Sequence, residues 1–165
     1  MHLAEIFTDN MLLQRNKPIA VYGCGQGNGT IEFCGKTTQF ESTDECFTVY
    51  LPAEKEGGPY EMTVTLNGET TVYQNVLVGD VYIAAGQSNM EMVLRRIVDI
   101  ENIPFDNVRL FTEPNNTNDD MTEFYHREAL WKPCTVEAMQ EFRHRLWRGA
   151  DPASADGRAD RYHLL

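Results

Sequence analysis

The chain contains 165 residues and carries 14 Lys plus Arg against 25 Asp plus Glu, a formal net charge of −11. This charge repels phosphate backbones and anionic lipid headgroups, so the composition argues against nucleic-acid and membrane partners. The hydrophobic fraction of 42% predicts a folded chain. Its length fits one domain, or a small domain joined to part of another.

The four cysteines lack the CxxC spacing and the paired histidines of zinc and redox motifs. Thiols are therefore predicted, with one open alternative in which Cys24 and Cys34 are cross-strand neighbours. The first ten residues lack the basic start and apolar run of a signal peptide. No stretch approaches the roughly 20 apolar residues of a membrane-spanning helix. The sequence predicts no leader, and it leaves the cellular compartment open.

Short runs of β-branched and aromatic residues, separated by Gly, Pro, Asn and Asp, extend from residue 19 to residue 78. Such runs are typical of an all-β domain. The first strands are predicted at 19–22, 30–33 and 47–51. Glycine-rich turns between strands are predicted at 23–29 and 57–59.

The clearest alternation lies in residues 60–66, where apolar and polar side chains take turns. It predicts a strand with one face in a core and one in water. Asn67-Gly68 follows, and both residues accept the positive φ of a two-residue hairpin turn, so residues 69–78 are the predicted return strand. Five to seven strands in residues 1–79 predict a sandwich-like β-domain.

The pattern changes at Gly79-Asp80. Residues 81–85 are continuously apolar, which predicts a strand buried on both faces of a parallel sheet. After a turn, residues 90–100 have apolar side chains at helical spacing. A further short strand is predicted at 107–111 and a helix at 135–142. Residues 80–142 therefore read as the start of an α/β domain.

Ser88 lies where the predicted buried strand ends and the helix begins. Such a turn exposes a hydroxyl at the carboxyl edge of an open sheet, where ligands of α/β folds bind. Backbone N–H groups of the first helical turn lack intrahelical partners and could stabilise an oxyanion. A capping role for Ser88 or Asn89 explains the local pattern equally well, so the local pattern leaves catalysis and capping open.

Three blocks together resemble the sialate O-acetylesterase family. They are residues 6–15 (IFTDNMLLQR) with Lys17-Pro18-Ile19, then Gly57-Gly58-Pro59-Tyr60, then residues 76–82 (VLVGDVY) running into Gly86-Gln87-Ser88-Asn89-Met90-Glu91. Residues 107–111 and 131–134 continue the resemblance, which covers residues 3–142. It implies an N-terminal portion of the family: an opening β-domain followed by a three-layer SGNH-type α/β domain, here truncated.

The resemblance implies that Ser88 attacks an O-acetyl ester of sialic acid, with Gly86, Gln87 and Asn89 supporting the oxyanion and the motif. The acetyl group passes to Ser88 and then to water, and neither metal nor organic cofactor takes part. Acetylated plant polysaccharide is the alternative to a sialoglycan substrate. Members of this family are often secreted, periplasmic or lysosomal.

The catalytic histidine and aspartate of the family come from an Asp-x-x-His element beyond the end of this chain, so the chain alone is expected to be inactive. Asp160 and His163 have that spacing, and they are interpreted as coincidence because the intervening sheet strands are absent. Trp131 and Tyr125 could contact a sugar ring, although core burial is the stronger expectation. A different class of function stays open, in which residues 1–79 are a non-catalytic carbohydrate-binding or interaction domain and the remainder is unfolded.

The segment 143–165 differs from the rest of the chain. It is arginine-rich, lacks apolar periodicity, and begins where the family resemblance stops. Restoring one deleted nucleotide at Phe142 lets a permitted back-translation encode family-like sequence. The segment is therefore predicted to be a frameshifted or disordered tail, with a divergent natural terminus as the alternative.

Overall fold

The computed structural model describes residues 1–83, 107–111 and 130–141. Within these ranges the chain forms ten strands and one helix, which in chain order are β1 (His2–Leu3), β2 (Leu12–Gln14), β3 (Ile19–Cys24), β4 (Gly27–Phe33), β5 (Lys36–Ser42), β6 (Cys46–Leu51), β7 (Gly57–Leu66), β8 (Glu69–Gly79), β9 (Arg109–Leu110), β10 (Lys132–Pro133) and α1 (Val136–Glu141). No described helix is long and apolar enough to cross a membrane.

The first eight strands form two sheets. The larger sheet has the order β2-β8-β7-β4-β5, and the smaller has the order β1-β3-β6. Their pairings are antiparallel except that β2 runs parallel to β8 at the edge of the larger sheet. Strands β9 and β10 form a separate antiparallel pair. The all-β prediction for the first part of the chain is confirmed.

One hydrophobic cluster lies between the two sheets, which makes the domain a sandwich. Alternate residues of each strand face it, because successive side chains of a strand point to opposite faces. The smaller sheet contributes Ile19, Val21, Phe47, Val49 and Leu51, and the larger contributes Ile31, Phe33, Met62, Val64, Leu66 and Val76. The predicted alternation in residues 60–66 is confirmed, since Met62, Val64 and Leu66 are buried while the intervening residues are at least partly exposed.

The predicted Asn67-Gly68 hairpin is confirmed. Leu66 pairs with Glu69 in the β7–β8 ladder, and the two turn residues have φ values of 51° and 81°. Asn tolerates positive φ better than other non-glycine residues, and glycine adopts it freely. The Asn67 side chain also donates a hydrogen bond of 2.7 Å to the carbonyl of Gln26, which ties this turn to the one before β4.

The predicted turns at 23–29 and 57–59 are wrong in extent. Strand β3 continues to Cys24 and β4 begins at Gly27, so only two residues turn the chain. The glycines serve close packing instead: a Cβ on Gly23 would approach the carbonyl oxygen of His2 to 2.5 Å. Residues 57–59 belong to β7, whose register against β8 shifts there.

Strand β5 and the short strands β1 and β2 were not predicted. β5 is mostly polar and lies at a sheet edge, so it carries no core-facing apolar pattern. The other two have three residues or fewer. Strands this short have no measurable period.

The predicted buried strand at 81–85 is not borne out where it is described. Residues 81–83 form no strand, and Tyr82 and Ile83 are 53% and 80% exposed. A parallel strand is buried only by neighbouring strands and covering helices, and no described strand lies beside these residues. The predicted strand at 107–111 and helix at 135–142 correspond to β9 and α1. The predicted helix at 90–100 lies outside the described residues.

Gly23→Ala is expected to lower the free energy of unfolding by about 1–3 kcal/mol, because the new methyl group meets the backbone of β1, which cannot move aside cheaply. Gly35→Ala is the matched control. Its Cβ would have no neighbour within 4 Å, but its φ of +71° strains any side chain, so a loss of about 1 kcal/mol is expected. Urea denaturation measures both. A loss below about 1 kcal/mol for Gly23→Ala would contradict the packing argument.

Candidate functional site

The motif expected to carry chemistry, Gly86-Gln87-Ser88-Asn89, lies outside the described residues, and so do Tyr125, Asp160 and His163. The structure therefore brings none of these residues together and separates none of them. It does describe the chain up to Ile83, five residues before Ser88. The described part of the site is the backbone that leads to the Ser88 segment. We call β2, β8 and the residues that bind them up to Val81 the frame.

That frame begins with the parallel pairing of β2 and β8, in which Gln14 lies opposite Gly79. The N–H of Arg15 donates to the carbonyl of Gly79 at 2.9 Å. The N–H of Val81 donates to the side-chain oxygen of Gln14 at 3.0 Å. Two consecutive residues of the 6–15 block thus hold the backbone on both sides of Asp80.

Arg15 adds an ion-pair network at the same point. Its Nε lies 2.8 Å from Asp80 Oδ1, and one terminal nitrogen lies 3.0 Å from Glu56 Oε2. The hydrogen bonds to Asp80 and then Glu56 raise the pKa of the guanidinium. The pKa of the Glu56 carboxyl is lowered, first by a hydrogen bond from its own backbone and then by Arg15. These groups are partly exposed, so solvent screens their attraction and the network orients the Asp80 segment more than it stabilises the fold.

Asp9 and Asn10 bind the middle of β8. Asp9 Oδ1 accepts a hydrogen bond of 2.7 Å from the N–H of Gln74, and Asn75 donates one of 2.7 Å to Asn10 Oδ1. Asn10 and Asn75 have φ values of 64° and 57°, a region that asparagine tolerates. Arg109, from β9, donates to Asn75 Oδ1 at 3.5 Å. Through Asn75, β8 is therefore hydrogen-bonded to β9, a strand that follows the Ser88 segment in the sequence.

Arg109 is a buried arginine, 7% exposed, with a side-chain Nε that lacks a hydrogen-bond partner. Burial lowers the pKa of its guanidinium. Cys134 lies close enough to interact with it electrostatically, and burial raises the pKa of that thiol to about 11. No described carboxylate is paired with Arg109 in an ion bridge.

Trp131 is the largest link between the later segments and the β-domain. Its indole N–H donates to the carbonyl of Ile6 at 2.7 Å, and its backbone N–H donates to Thr8 Oγ1 at 3.3 Å. The ring lies 5.1 Å from that of Phe111 and is 2% exposed. The expectation of core burial for Trp131 is confirmed. Residues 107–111 and 130–135 are packed, so the alternative in which everything after residue 79 is unfolded is wrong for these segments.

The 6–15 block is therefore structural. Its side chains and backbone contact β8 and Trp131, and sequence reasoning gave these residues no role. The only signal in the sequence was the number of polar residues within the otherwise apolar 6–15 block. Such residues indicate that hydrogen bonds form, but they do not identify the partner residues. The described residues contain no cluster of three or more His, Cys, Asp or Glu that could hold a metal ion.

Comparison with known proteins finds similar proteins of one name. No family model matches the chain. Sialate O-acetylesterase from Mus musculus is 26% identical over 142 residues, covering 71% of this chain and 26% of the mouse protein. The Homo sapiens protein of the same name is 25% identical over 154 residues, covering 81% of this chain and 29% of its own. The chain resembles the sialate O-acetylesterases.

A solved structure agrees with this resemblance. A carbohydrate acetylesterase from Xanthomonas citri superposes with a TM-score of 0.79 at 29% identity, over 86% of this chain and 34% of that one. The chain spans about a quarter of the length of the sialate O-acetylesterases it matches. The resemblance stated from the sequence motifs is thus confirmed.

Trp131→Phe is expected to destabilise the protein by about 1–3 kcal/mol, because it removes the donor to a buried carbonyl and part of a packed ring. Tyr50→Phe is the matched control, since Tyr50 is 67% exposed, and its effect should stay within about 0.5 kcal/mol. Urea denaturation followed by circular dichroism measures both. A neutral Trp131→Phe would contradict the anchoring role.

Stability is expected to fall between pH 9 and pH 11 in a way that depends on Cys134. Burial raises its thiol pKa from 9.0 to about 11, so above pH 9 the unfolded chain loses this proton first and is favoured. The contribution is complete below pH 9 and is lost as pH rises through the folded value, with a total of about 2 kcal/mol. Unfolding free energies of the wild type and Cys134→Ala, compared across this range, measure it. A pH-independent difference between the two would contradict the expectation.

Proposed function

We propose that the chain is the N-terminal part of a carbohydrate O-acetylesterase in which Ser88 is the nucleophile. One observation supports this most directly. The two separate blocks that carry the family resemblance, residues 6–15 and 76–82, are hydrogen-bonded to each other at Gln14 and Arg15, immediately before the Gly-Gln-Ser-Asn motif. These contacts support the proposal because they hold the chain at residues 79–81, shortly before the motif in sequence.

The proposed reaction is a two-step acyl transfer. Ser88 Oγ attacks the acetyl carbonyl while a histidine takes its proton, and the bond to the sugar oxygen breaks as that proton passes to the leaving hydroxyl. Water then attacks the acetyl-serine, and acetate leaves. Backbone N–H groups around Gly86, Gln87 and Asn89 stabilise the oxyanion of each step. The histidine and its orienting aspartate lie beyond residue 165 in this proposal.

Sialic acid is the proposed sugar, because the curated relatives are named sialate O-acetylesterases. The name of the Xanthomonas citri relative, a carbohydrate acetylesterase, supports an acetylated polysaccharide as the second candidate. Residues 80–142 are proposed as the start of an SGNH-type α/β domain, in which β9 and α1 are early elements. Neither metal nor organic cofactor is required for the proposed steps.

The segment 143–165 is proposed to result from a frameshift. Its support is the abrupt change from an acidic chain to an arginine-rich one without apolar periodicity. Sequencing the source gene tests this directly. A family-like reading frame downstream, including an Asp-x-x-His element, is expected. An open frame that ends at residue 165, with no such element in another frame, would refute the frameshift and leave the Ser88 proposal to its own test.

Ser88→Ala in the protein expressed from the frame-restored gene is expected to reduce deacetylation of O-acetyl sialic acid by about 10⁴-fold or more, because the covalent step is lost. Thr37→Ala, at an exposed hydroxyl of β5, is the matched control and should leave the rate unchanged. Acetate release measures both, with acetylated xylan as the competing substrate. Retained activity in Ser88→Ala would refute the assignment.

The 165-residue chain itself should show no Ser88-dependent hydrolysis of p-nitrophenyl acetate, because a serine without a base is a weak nucleophile. Wild type and Ser88→Ala are therefore expected to give equal rates. A substantial loss in the variant would make Asp160 and His163 the candidates for the missing groups.

A further inference from the structure

Cys24 and Cys46 lie directly opposite each other on β3 and β6. The N–H of Gly25 donates to the carbonyl of Glu45 at 2.8 Å. In an antiparallel ladder a hydrogen bond between these flanking residues makes the cysteines a non-hydrogen-bonded pair. The Cα atoms of such pairs are about 4.5 Å apart and their side chains approach each other. That spacing lies within the range of about 4.4–6.8 Å that a disulfide needs.

Both side chains lie on the outer face of the smaller sheet. On β3 the core-facing residues are Ile19 and Val21, and Cys24 belongs to the alternate set that is only partly buried. On β6, Cys46 is exposed while the next residue, Phe47, enters the core. A reagent in solution therefore reaches Cys46, and a bond between the two sulfurs would not disturb the packing between the sheets.

The other two cysteines are placed differently. Cys34 lies in the turn between β4 and β5 with a φ of 49°, on the sheet that does not contain β3, so the sequence-based pairing of Cys24 with Cys34 is wrong. Cys134 is buried beside Arg109. Burial raises the thiol pKa of both Cys34 and Cys134, which lowers their fraction of reactive thiolate. In the described ladders, neither residue is paired with another cysteine.

We propose that Cys24 and Cys46 are a redox site that forms a reversible cross-strand disulfide by exchange with a small disulfide such as glutathione disulfide. The Cys46 thiolate attacks one sulfur of the glutathione disulfide, which forms a mixed disulfide and releases one glutathione. The Cys24 sulfur then attacks Cys46, which closes the protein disulfide and releases the second glutathione. The two protein thiols lose two electrons and two protons, and both are recovered in the two glutathione thiols.

The bond would close a loop that contains the whole β4–β5 hairpin. Because Cys24 ends β3 and Cys46 begins β6 in the smaller sheet while β4 and β5 belong to the larger, a bond in one sheet would close a loop formed by two strands of the other. Such a link restricts the unfolded chain over the intervening residues, so it stabilises the fold. The site would leave the β-domain more stable in an oxidising compartment and unlinked in a reducing one.

The test is a redox titration of the full chain. The protein is equilibrated without oxygen at pH 8 in glutathione buffers of increasing oxidising ratio, quenched with acid and alkylated. Cleavage after Glu32 and Lys36 places Cys24, Cys34 and Cys46 on separate peptides. The expected result is loss of two of the four thiols, with one cross-linked product that joins Cys24 to Cys46. Its melting temperature should rise by about 5–15 °C, reversibly on reduction.

Cys24→Ser and Cys46→Ser should each abolish the cross-link and the temperature shift, and Cys34→Ser should retain both. Three results would overturn the proposal. They are a stable glutathione adduct on Cys46 with no second displacement, a cross-link that includes Cys34, and four alkylated thiols in the most oxidising buffer. The wild-type peptide map decides between these results without reference to how well any variant folds.

Discussion

The parallel pairing of β2 with β8 is the contact on which the rest of the described structure depends. It joins a strand near the start of the chain to the last strand of the β-domain, and the other strands of the sandwich lie between them in the sequence. Leu12 and Leu13 are buried in the pairing, and Arg15 continues it to Gly79 through its backbone N–H. Burial of these two leucines supplies most of the stability of the β2–β8 pairing, because partly exposed ion pairs contribute little. The polar groups then determine where the chain leaves the sheet.

This arrangement explains why a block without catalytic chemistry carries a family resemblance. A nucleophile works only when its backbone is held within a fraction of an ångström of a productive geometry. Gln14 and Arg15 hold the residues around Asp80, and Thr8 accepts a hydrogen bond from the backbone of Trp131. Asn10 accepts one from Asn75, whose own side-chain oxygen accepts one from Arg109 of β9. The β-domain is a support for those segments as well as a folded unit.

The two faces of the smaller sheet serve different ends. Its inner face contributes large apolar side chains to the core, where any change of volume is felt by both sheets. Its outer face does not pack against the larger sheet, so a pair of cysteines can lie there without affecting the packing between the sheets. The net charge of −11 favours solubility and does not select a fold.

The sequence by itself determined the all-β character, the Asn67-Gly68 hairpin, the alternation of β7 and the family resemblance, because these depend on local periodicity and on residue order. It could not supply the β2–β8 pairing, the extent of the strands through Gly23 and Gly57, or the opposition of Cys24 and Cys46. Those features join residues far apart in the chain, and no local pattern records which strand lies beside which. The exposure of Tyr82 and Ile83 shows the same limit. An apolar run indicates that burial of its side chains is favourable. Only the tertiary structure decides whether a neighbouring strand or helix is present to bury them.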